Sequence, residues 1–251
     1  MSLDHRIEVP TDFRRIGLLT RRDGQPVQVP FFARLLESAA LAEVQDIHQE
    51  ALRRVPEPGL VRVDSEAFFA HHFNGEGHTL GVFAGDRLIA YGILGLPAGP
   101  DYRYDRFLED LGLPASEWNR MAQLIGVAVR PEWRGNGLHR RLCEWRLELA
   151  HVVHRWQVAA VSAPGNPYSW RNLLAVGLRI KGVKWLSGDQ LRYLLHADLR
   201  GSSSLDPASV VTIEVSAMAE QRRLLAAGYW GYAAAMEQNV LRLRYARPLP
   251  P

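Results

Sequence analysis

Apolar and polar residues follow two different spacings along the chain, and the two spacings alternate. Alternating or continuous apolar runs predict strands, over residues 14–30 as a hairpin, 31–37, 79–96 as a second hairpin, 121–129, 158–162, 179–186 and 191–199. Apolar residues repeated every three or four positions predict helices, over residues 38–55, 64–73, 138–152 and 167–176. Strands that alternate with helices favour a mixed α/β layer over a helix bundle or a β-sandwich.

Short polar signals mark where these elements turn or begin. Asp23-Gly24 and Gly85-Asp86 are typical of hairpin turns. The side chains of Ser38 and Asp64 are suited to cap the first two helices.

A further group of elements follows Gly201. We predict a strand over 211–215, a helix over 217–227 that Gly228 ends, and a strand over 240–245. A piece of about 45 residues is too small to bury a core by itself. We therefore expect an N-terminal extension (1–30), a main domain (31–200) and a C-terminal extension (201–251) packed on the main domain.

Composition narrows the class of protein. The chain has 251 residues, of which 47% are apolar and 23% charged, as in ordinary globular proteins. The first ten residues carry charges where a secretory signal needs an apolar run, and no apolar stretch is long enough for a membrane helix. We expect a cytoplasmic protein that does not bind membranes.

The basic charge does not predict nucleic-acid binding. The formal net charge is +3, and only Lys181 and Lys184 are lysines, so nearly all of the positive charge is arginine. These arginines are scattered and form no basic block. We therefore expect no nucleic-acid partner.

Metal and thiol chemistry are not expected either. Cys143 is the single cysteine, which excludes a disulfide framework and a multi-thiolate zinc site, and it is expected to be a small packing residue. The pairs His71-His72 and His151 with His154 lack a third ligand at a helical spacing.

The strongest chemical signal is the turn Arg134-Gly135-Asn136-Gly137-Leu138, between a predicted buried strand and a predicted helix. The first N–H groups of a helix have no partner within it and lie at the positive end of its dipole, an arrangement that binds phosphate. The dinucleotide pattern G-x-G-x-x-G is broken by Arg140, and no G-K-[ST] sequence occurs.

Residues Val129-Arg130-Pro131-Glu132-Trp133-Arg134-Gly135-Asn136-Gly137-Leu138 match the pattern V-x-P-x-x-R-G-x-G-[IL]. A second pattern, N-x-x-[AS] with a glycine eleven residues after the asparagine, occurs as Asn166-Pro167-Tyr168-Ser169 with Gly177. With both motifs, the chain over roughly 31–199 resembles the GNAT superfamily of N-acyltransferases.

The resemblance implies an α/β fold with a V-splayed mixed sheet flanked by helices, here with an N-terminal hairpin and a C-terminal βαβ-like extension. It implies acetyl-CoA or another acyl-CoA as cosubstrate, and no metal. The implied cofactor-binding residues are Val127, Ala128, Val129, Arg134, Gly135, Asn136, Gly137, Leu138, His139, Asn166 and Ser169. His139 stands where the family usually has a small residue, and either contacts a phosphate or crowds the helix start.

Two catalytic positions of the family differ here. Leu173 replaces the usual tyrosine acid, and Gln123 replaces a glutamate base found in some members. Tyr168 is a candidate acid, with a packing role as the alternative. The base candidates are His78, Asp105, Glu109 and Glu132. A backbone N–H of Ala128 or Val129 is suited to stabilise the oxyanion.

The leading hypothesis is transfer of an acetyl group from acetyl-CoA to a primary amine by direct attack in a ternary complex. The alternatives are a long-chain N-acyltransferase and a non-catalytic acyl-CoA sensor. The acceptor is expected to be a small-molecule or peptide amine. The acidic segment 101–110 either recognises this amine or is a solvated surface loop with a short helix. The strand over 240–245 is a candidate for pairing with a second copy in a homodimer.

Overall fold

The computed structural model describes residues 12–73, 76–97, 110–186, 190–201 and 203–249. Within them lie eleven strands and five α-helices, which form two compact units. The first unit takes the described residues of Met1–Arg54, Val63–Leu96 and Leu124–Arg155. The second takes those of Val55–Arg62, Pro97–Gln123 and Trp156–Pro251.

The first unit is a sheet with three helices. Its strands, in spatial order, are β1 (Arg14–Arg21), β2 (Val27–Leu35), β3 (Gly77–Ala84), β4 (Arg87–Gly95) and β5 (Met121–Val129, from Leu124 onward). Its helices are α1 (Leu41–Leu52), α2 (Glu66–Phe73) and α3 (Leu138–Val152). The pairs from β1 to β4 are antiparallel, and both predicted hairpins are confirmed.

Strand β2 is longer than the sequence suggested. The predicted break between residues 30 and 31 is wrong, because one strand runs through Pro30. Proline has no N–H to give to a ladder. Pairing with β3 starts only at Phe31, opposite Ala84, so Pro30 has β1 alone as its neighbour.

The prediction that Ser38 caps the first helix is wrong, because the N-cap of α1 is Ala40, which has no side-chain hydrogen bond. A side chain does stabilise the start of α2. Ser65, one residue after the predicted cap Asp64, accepts a hydrogen bond on Oγ from the backbone N–H of Phe68 at 3.2 Å. The segment from Ser38 forms a short 3₁₀ turn before α1 begins at Leu41, and α1 ends at Leu52, before the two prolines.

The second unit is an antiparallel sheet with two helices. Its strands, in spatial order, are β6 (Gln157–Ser162), β8 (Gln190–Asp198), β7 (Arg179–Leu186), β10 (Trp230–Glu237), β11 (Val240–Ala246) and β9 (Val211–Glu214). Its helices are α4 (Pro167–Ala175) and α5 (Met218–Ala226).

Strand β10 was missed by the sequence analysis. Its centre, Ala233-Ala234-Ala235, favours helix by propensity, yet these residues pair with Leu243 and its neighbours on β11. The connecting residues Gln238 and Asn239 have φ values of 52° and 64°, the conformation that a two-residue hairpin turn requires. Cross-strand pairing therefore overrides the local preference.

Strand β11 is not a free edge. It pairs with β10 on one side and with β9 on the other. The expectation that residues 240–245 pair with a second copy is therefore wrong, because both rows of backbone groups are already used.

A buried polar cluster joins α5 to two strands of the second unit. Oε1 of Gln221 accepts hydrogen bonds from the hydroxyls of Tyr193 on β8 and Tyr245 on β11, each at 2.8 Å. The amide nitrogen of Gln221 donates to the carbonyl of Val215 at 2.7 Å. Every polar group in the cluster is thus satisfied, as burial requires.

None of the helices in the described part of the chain is both long and apolar enough to cross a membrane. The domain boundaries at residues 30 and 200 stay a prediction.

Candidate functional site

The turn between β5 and α3 is built on two glycines. After Val129 a short 3₁₀ helix covers Pro131–Trp133, and α3 begins at Leu138. Gly135 and Gly137 have φ values of 80° and 69°, which side-chain-bearing residues rarely adopt. A Cβ on Gly135 would lie 3.3 Å from Nε of Arg22, whereas one on Gly137 would meet no atom within 4 Å.

The start of α3 is electrostatically unusual. Its N-cap residue, Gly137, supplies no side-chain hydrogen bond, and the first turn holds no acidic residue. It carries His139, Arg140 and Arg141 instead. Cations at the positive end of a helix dipole are unfavourable, and a bound anion would offset this cost.

The N-terminal hairpin holds the turn in place. The amide nitrogen of Asn136 donates to the carbonyls of Thr20 at 2.8 Å and Trp133 at 2.9 Å. Its Oδ1 accepts from the N–H of Thr20 at 2.8 Å. The side chain of Asn136 therefore fixes the backbone of the turn, and sequence analysis had placed the hairpin outside the site altogether.

Two exposed arginines flank the turn. Arg134 lies within it, and its Nε donates to the carbonyl of Val129 at 3.3 Å. Arg22 follows β1, and its backbone N–H donates to the carbonyl of Glu132 at 2.8 Å. The sequence motif contains only the first of these two cations.

Arg130, just before the turn, is tied to α1. Its guanidinium contacts the carboxylates of Asp46 at 2.6 Å and Glu50 at 2.7 Å, and its Nε donates to the carbonyl of Leu88 at 3.0 Å. The charge of Arg130 is thus already paired, and its role is to anchor the end of β5.

Strand β5 contains an irregularity that the sequence analysis did not predict. Gly126 has a φ of 43°, and a Cβ there would lie 3.2 Å from Cδ1 of Ile93 on β4. A positive φ inside a strand is typical of a bulge, which leaves backbone groups outside the regular ladder. The predicted cofactor strand follows directly, with Val127 and Val129 half-buried and Ala128 buried.

A buried arginine lies against this irregular strand. Arg146 of α3 is 1% exposed, and its guanidinium donates to the carbonyls of Ile93 at 2.8 Å and Ile125 at 3.0 Å. Burial lowers the pKa of this guanidinium. A Cβ on Gly92 would lie 3.1 Å from Nε of Arg146, so the missing side chain leaves the room that Arg146 needs.

The sequence did contain a signal for Arg146. It lies four residues after Leu142 and three before Leu149, on the apolar face of the predicted helix. A charged residue in such a position has to find buried polar partners, and backbone carbonyls beside a bulge supply them.

The second motif lies at the start of α4, in the second unit. Asn166 is the N-cap residue, and its Oδ1 accepts from the N–H of Ser169 at 3.3 Å. Tyr168 is 84% exposed, while its carbonyl accepts from the amide of Asn172 at 2.7 Å. Ser169 is half-buried.

The two positions that depart from the family pattern are both in the core. Leu173 on α4 is 4% exposed and Gln123 on β5 is 3% exposed. Neither supplies an exposed acid or base.

Two base candidates lie in the first unit. His78 on β3 pairs with Leu94 on β4 and is half-buried, and burial lowers the pKa of its imidazole. Its ring is therefore neutral near pH 7, as a base must be. Glu132 instead binds Nη1 of Arg87 at 3.0 Å. Asp105, Glu109 and the acidic segment up to residue 109 lie outside the described residues.

Cys143 is fully buried on α3. Burial raises the pKa of its thiol, so the thiol stays protonated and unreactive. The expected packing role agrees with this placement.

The predicted histidine pairs have other partners. Nε2 of His71 contacts a carboxylate oxygen of Glu76, and Nδ1 of His72 lies 2.7 Å from the carbonyl oxygen of Phe68. Among the described residues there is no group of three or more histidine, cysteine, aspartate or glutamate side chains that could hold a metal ion.

A family model identifies the family to which this chain is similar. The model of the acetyltransferase (GNAT) family matches residues 41–173. A search of curated proteins finds no match.

Solved structures of acetyltransferases share the fold. A Salmonella typhimurium protein described as an acetyltransferase with its cofactor acetyl-CoA has a TM-score of 0.51 and 16% identity, over 70% of this chain and 97% of its own. An N-acetyltransferase from Staphylococcus aureus has a TM-score of 0.51 and 12% identity, over 68% and 99%. The ribosomal-protein-S18-alanine N-acetyltransferase from Escherichia coli has a TM-score of 0.50 and 14% identity, over 70% and 97%.

Proposed function

Because the chain belongs to the acetyltransferase (GNAT) family, we propose that it transfers an acetyl group from acetyl-CoA to a primary amine, by direct attack in a ternary complex. The observation that carries this proposal is the cationic turn from Arg134 to Leu138 at the start of α3. A turn that combines two left-handed glycines, an uncapped helix start and basic side chains is suited to the pyrophosphate of CoA.

The proposed phosphate site combines backbone N–H groups with basic side chains. The N–H groups of the turn and the first turn of α3 bind the pyrophosphate, with Gly135, Gly137, Leu138 and His139 contributing. Arg134 and Arg22 add charge-assisted hydrogen bonds at its border. Asn136 acts through the backbone, since its side chain already binds Thr20 and Trp133.

The proposed thioester site lies along β5. An amide-bearing arm pairs with exposed strand backbone as an added strand does, and Val127, Ala128 and Val129 follow the bulge at Gly126. Arg146 supports this geometry, because it satisfies the carbonyl of Ile125 beside the bulge. Asn166 and Ser169, in the second unit, stay proposed cofactor-binding residues, as the resemblance implies.

The chemistry needs a neutral amine and a stabilised oxyanion. A lysine-type amine is mostly protonated near pH 7, so a base has to remove a proton before the nitrogen attacks the thioester carbonyl. His78 is our proposed base, because burial keeps its ring neutral. As the C–N bond forms, a backbone N–H of Ala128 or Val129 stabilises the oxyanion, and the nitrogen loses its second proton to solvent. The C–S bond then breaks, and Tyr168 is the proposed donor of a proton to the thiolate.

The proposal is tested by CoA binding followed by turnover. A thermal-shift titration with CoA comes first, and a free-thiol assay then pairs acetyl-CoA and longer acyl-CoAs with a panel of small and peptide amines. Turnover with an amine supports the proposal and identifies the acceptor and the acyl length. Binding without turnover across the panel contradicts transferase activity and favours the sensor alternative.

A matched pair of glycine variants assigns the phosphate site. Gly137 and Gly228 both have positive φ values, 69° and 82°, and a Cβ on either would meet no atom within 4 Å. Gly137→Ala and Gly228→Ala therefore carry a similar backbone strain of about 1–2 kcal/mol. Only Gly137→Ala is expected to weaken CoA binding, and equal affinities in the two variants would contradict the assignment of the turn.

A further inference from the structure

A chain of hydrogen bonds in the second unit starts at Gln157 on β6. Its amide nitrogen donates to the carboxylates of Glu117 and Asp198, each at 3.0 Å. Only the NH₂ group of an amide can bind two carboxylates in this way. The amide orientation is therefore fixed, and Oε1 is left as an acceptor for the next residue.

The next residue is His196 on β8, which is 3% exposed. Its Nε2 lies 2.8 Å from Oε1 of Gln157, so Nε2 carries the hydrogen. Burial lowers the pKa of His196 to about 3, and its ring is neutral near pH 7. A neutral imidazole has one N–H, which leaves Nδ1 as an acceptor.

Lys181 on β7 completes the chain. Its Nζ lies 2.9 Å from Nδ1 of His196 and 4.0 Å from the centre of the Trp230 ring on β10. Because Nδ1 has no hydrogen, Lys181 has to be the donor. The side chains of Gln157, His196 and Trp230 thus fix the orientation of the Lys181 amine.

Lys181 also lines an open surface cavity. The cavity has a volume of about 330 Å³ and is lined by Lys181, Gly182, Val183, Arg222, Leu225 and Ala226. None of these six lining residues is acidic, and Arg222 brings a second positive charge from α5.

The surroundings favour the uncharged form of the amine. Burial lowers the pKa of Lys181 to about 8, although the negative charge of Asp198 acts to raise it. At pH 7.5 roughly a quarter of such amines is neutral, compared with about 0.1% of an ordinary lysine. A neutral amine is the form that attacks an acyl carbonyl.

We propose that Lys181 is a self-acylation site of this protein, at which an acyl thioester from solution acylates the side chain. The neutral Nζ attacks the thioester carbonyl, a C–N bond forms and the C–S bond breaks. The nitrogen loses its proton to solvent, and the thiolate leaves and takes up a proton. The product is a neutral amide that has lost one positive charge and still has one N–H for His196.

The chain contains its own control. Lys184 is the other lysine. It is three residues further along β7 and more open to solvent, and it forms an ion pair with Asp110. Because Asp110 holds this amine in an ion pair, it is not expected to react at a comparable rate.

The test is mass spectrometry of the full chain after incubation with acetyl-CoA between pH 7 and 10. We expect acetylation of Lys181 to be at least about tenfold faster than that of Lys184 at pH 7.5, because burial lowers the pKa of Lys181 and Lys184 is held by Asp110. The rate at Lys181 should level off above about pH 8. Equal rates with the same pH profile would overturn the proposal.

This proposal rests on the proposed function only in taking acyl-CoA as the natural acyl donor. A second, synthetic donor therefore allows the two proposals to be tested separately. The acetyl thioester of N-acetylcysteamine lacks the pyrophosphate and needs no CoA site. Preferential acetylation of Lys181 by this thioester supports the site even in a protein that fails to bind CoA. A lack of preference with both donors overturns it.

Two variants of His196 test the hydrogen-bond chain. His196→Asn retains an acceptor close to the position of Nδ1, and His196→Phe removes it. We expect the first to keep most of the preference for Lys181 and the second to lose it, with the melting temperature of both followed as a check on folding. Preference retained in a folded His196→Phe protein would contradict the role of the chain.

Discussion

Asn136 binds Thr20 as one strand binds its neighbour, with its side-chain amide donating to the carbonyl and accepting from the N–H of the same residue. The glycine turn therefore depends on the N-terminal hairpin for its shape. This contact joins two segments that are 116 residues apart in sequence.

Asn136→Ala should loosen the turn without removing a charge. The backbone groups of Thr20 lose both partners, which costs about 1–3 kcal/mol, and the KM for acetyl-CoA should rise more than kcat falls. Denaturant unfolding and steady-state kinetics measure the two effects. Asn119→Ala, at an exposed asparagine outside the proposed site, is the control, and the same KM in both variants would show that Asn136 does not shape the site.

Arg22→Gln and Arg134→Gln should each weaken acetyl-CoA binding, because each removes a cation beside the glycine turn. A charge-assisted hydrogen bond at the surface is worth about 1 kcal/mol or somewhat more, so we expect the KM to rise at least about fivefold. Added salt should reduce the difference from wild type. Arg223→Gln, at an exposed arginine of α5, should leave the KM unchanged, and an Arg22 variant that behaves like it would exclude the hairpin from the phosphate site.

Arg146→Met should lower both stability and kcat. The carbonyls of Ile93 and Ile125 would remain buried without their donor, at about 1–3 kcal/mol for each group. The bulge at Gly126 would then lose its support. Unfolding and kcat are measured together with Glu148→Ala, a solvent-facing change on the same helix. An unchanged kcat in folded Arg146→Met would remove Arg146 from the positioning of β5.

Gln221→Leu should destabilise the second unit by about 2–4 kcal/mol, because two buried hydroxyls lose their shared acceptor. Replacing Tyr193 and Tyr245 with Phe in the Gln221→Leu background should restore part of the lost stability, since no buried tyrosine hydroxyl is then left without an acceptor. Chemical denaturation of the four proteins in this cycle measures the coupling. Additive effects would mean that the three side chains do not act as a unit.

The pH dependence of stability should reflect His196. Its pKa is about 3 in the folded protein and 6.5 in the unfolded chain, so between these values the unfolded chain binds more protons. Stability should therefore be fully present above pH 6.5 and fall as the pH falls toward 3, by up to about 1.4 kcal/mol per unit. His196→Asn should flatten this slope in urea unfolding from pH 4 to 7. An unchanged slope would indicate that His196 is exposed to solvent.

Local patterns predicted the elements that carry the first motif. The helix α3 and the strand β5 have the predicted bounds, because the apolar spacing and the two glycines are contained in neighbouring residues. The bulge at Gly126 and the role of Arg146 were missed, since a glycine in an apolar run and an arginine on a helix have several local explanations.

Contacts between distant segments account for most of the remaining differences. Nothing close to Asn136 in sequence indicates Thr20 as its partner, and the alanines of β10 favour helix until β11 pairs with them. The hydrogen-bond chain from Gln157 to Lys181 joins β6, β8 and β7. Such partners are set by strand order, which the sequence pattern alone does not determine.

The position of β11 also has a consequence for synthesis on the ribosome. It follows every other described strand in sequence, yet it lies between β10 and β9, and β9 has no other strand partner among the described residues. The sheet of the second unit can therefore close only after Val240–Ala246 has left the exit tunnel. Until then, β9 and one side of β10 expose unpaired backbone, and a nascent chain that stalls before Val240 would be a substrate for chaperones and proteases.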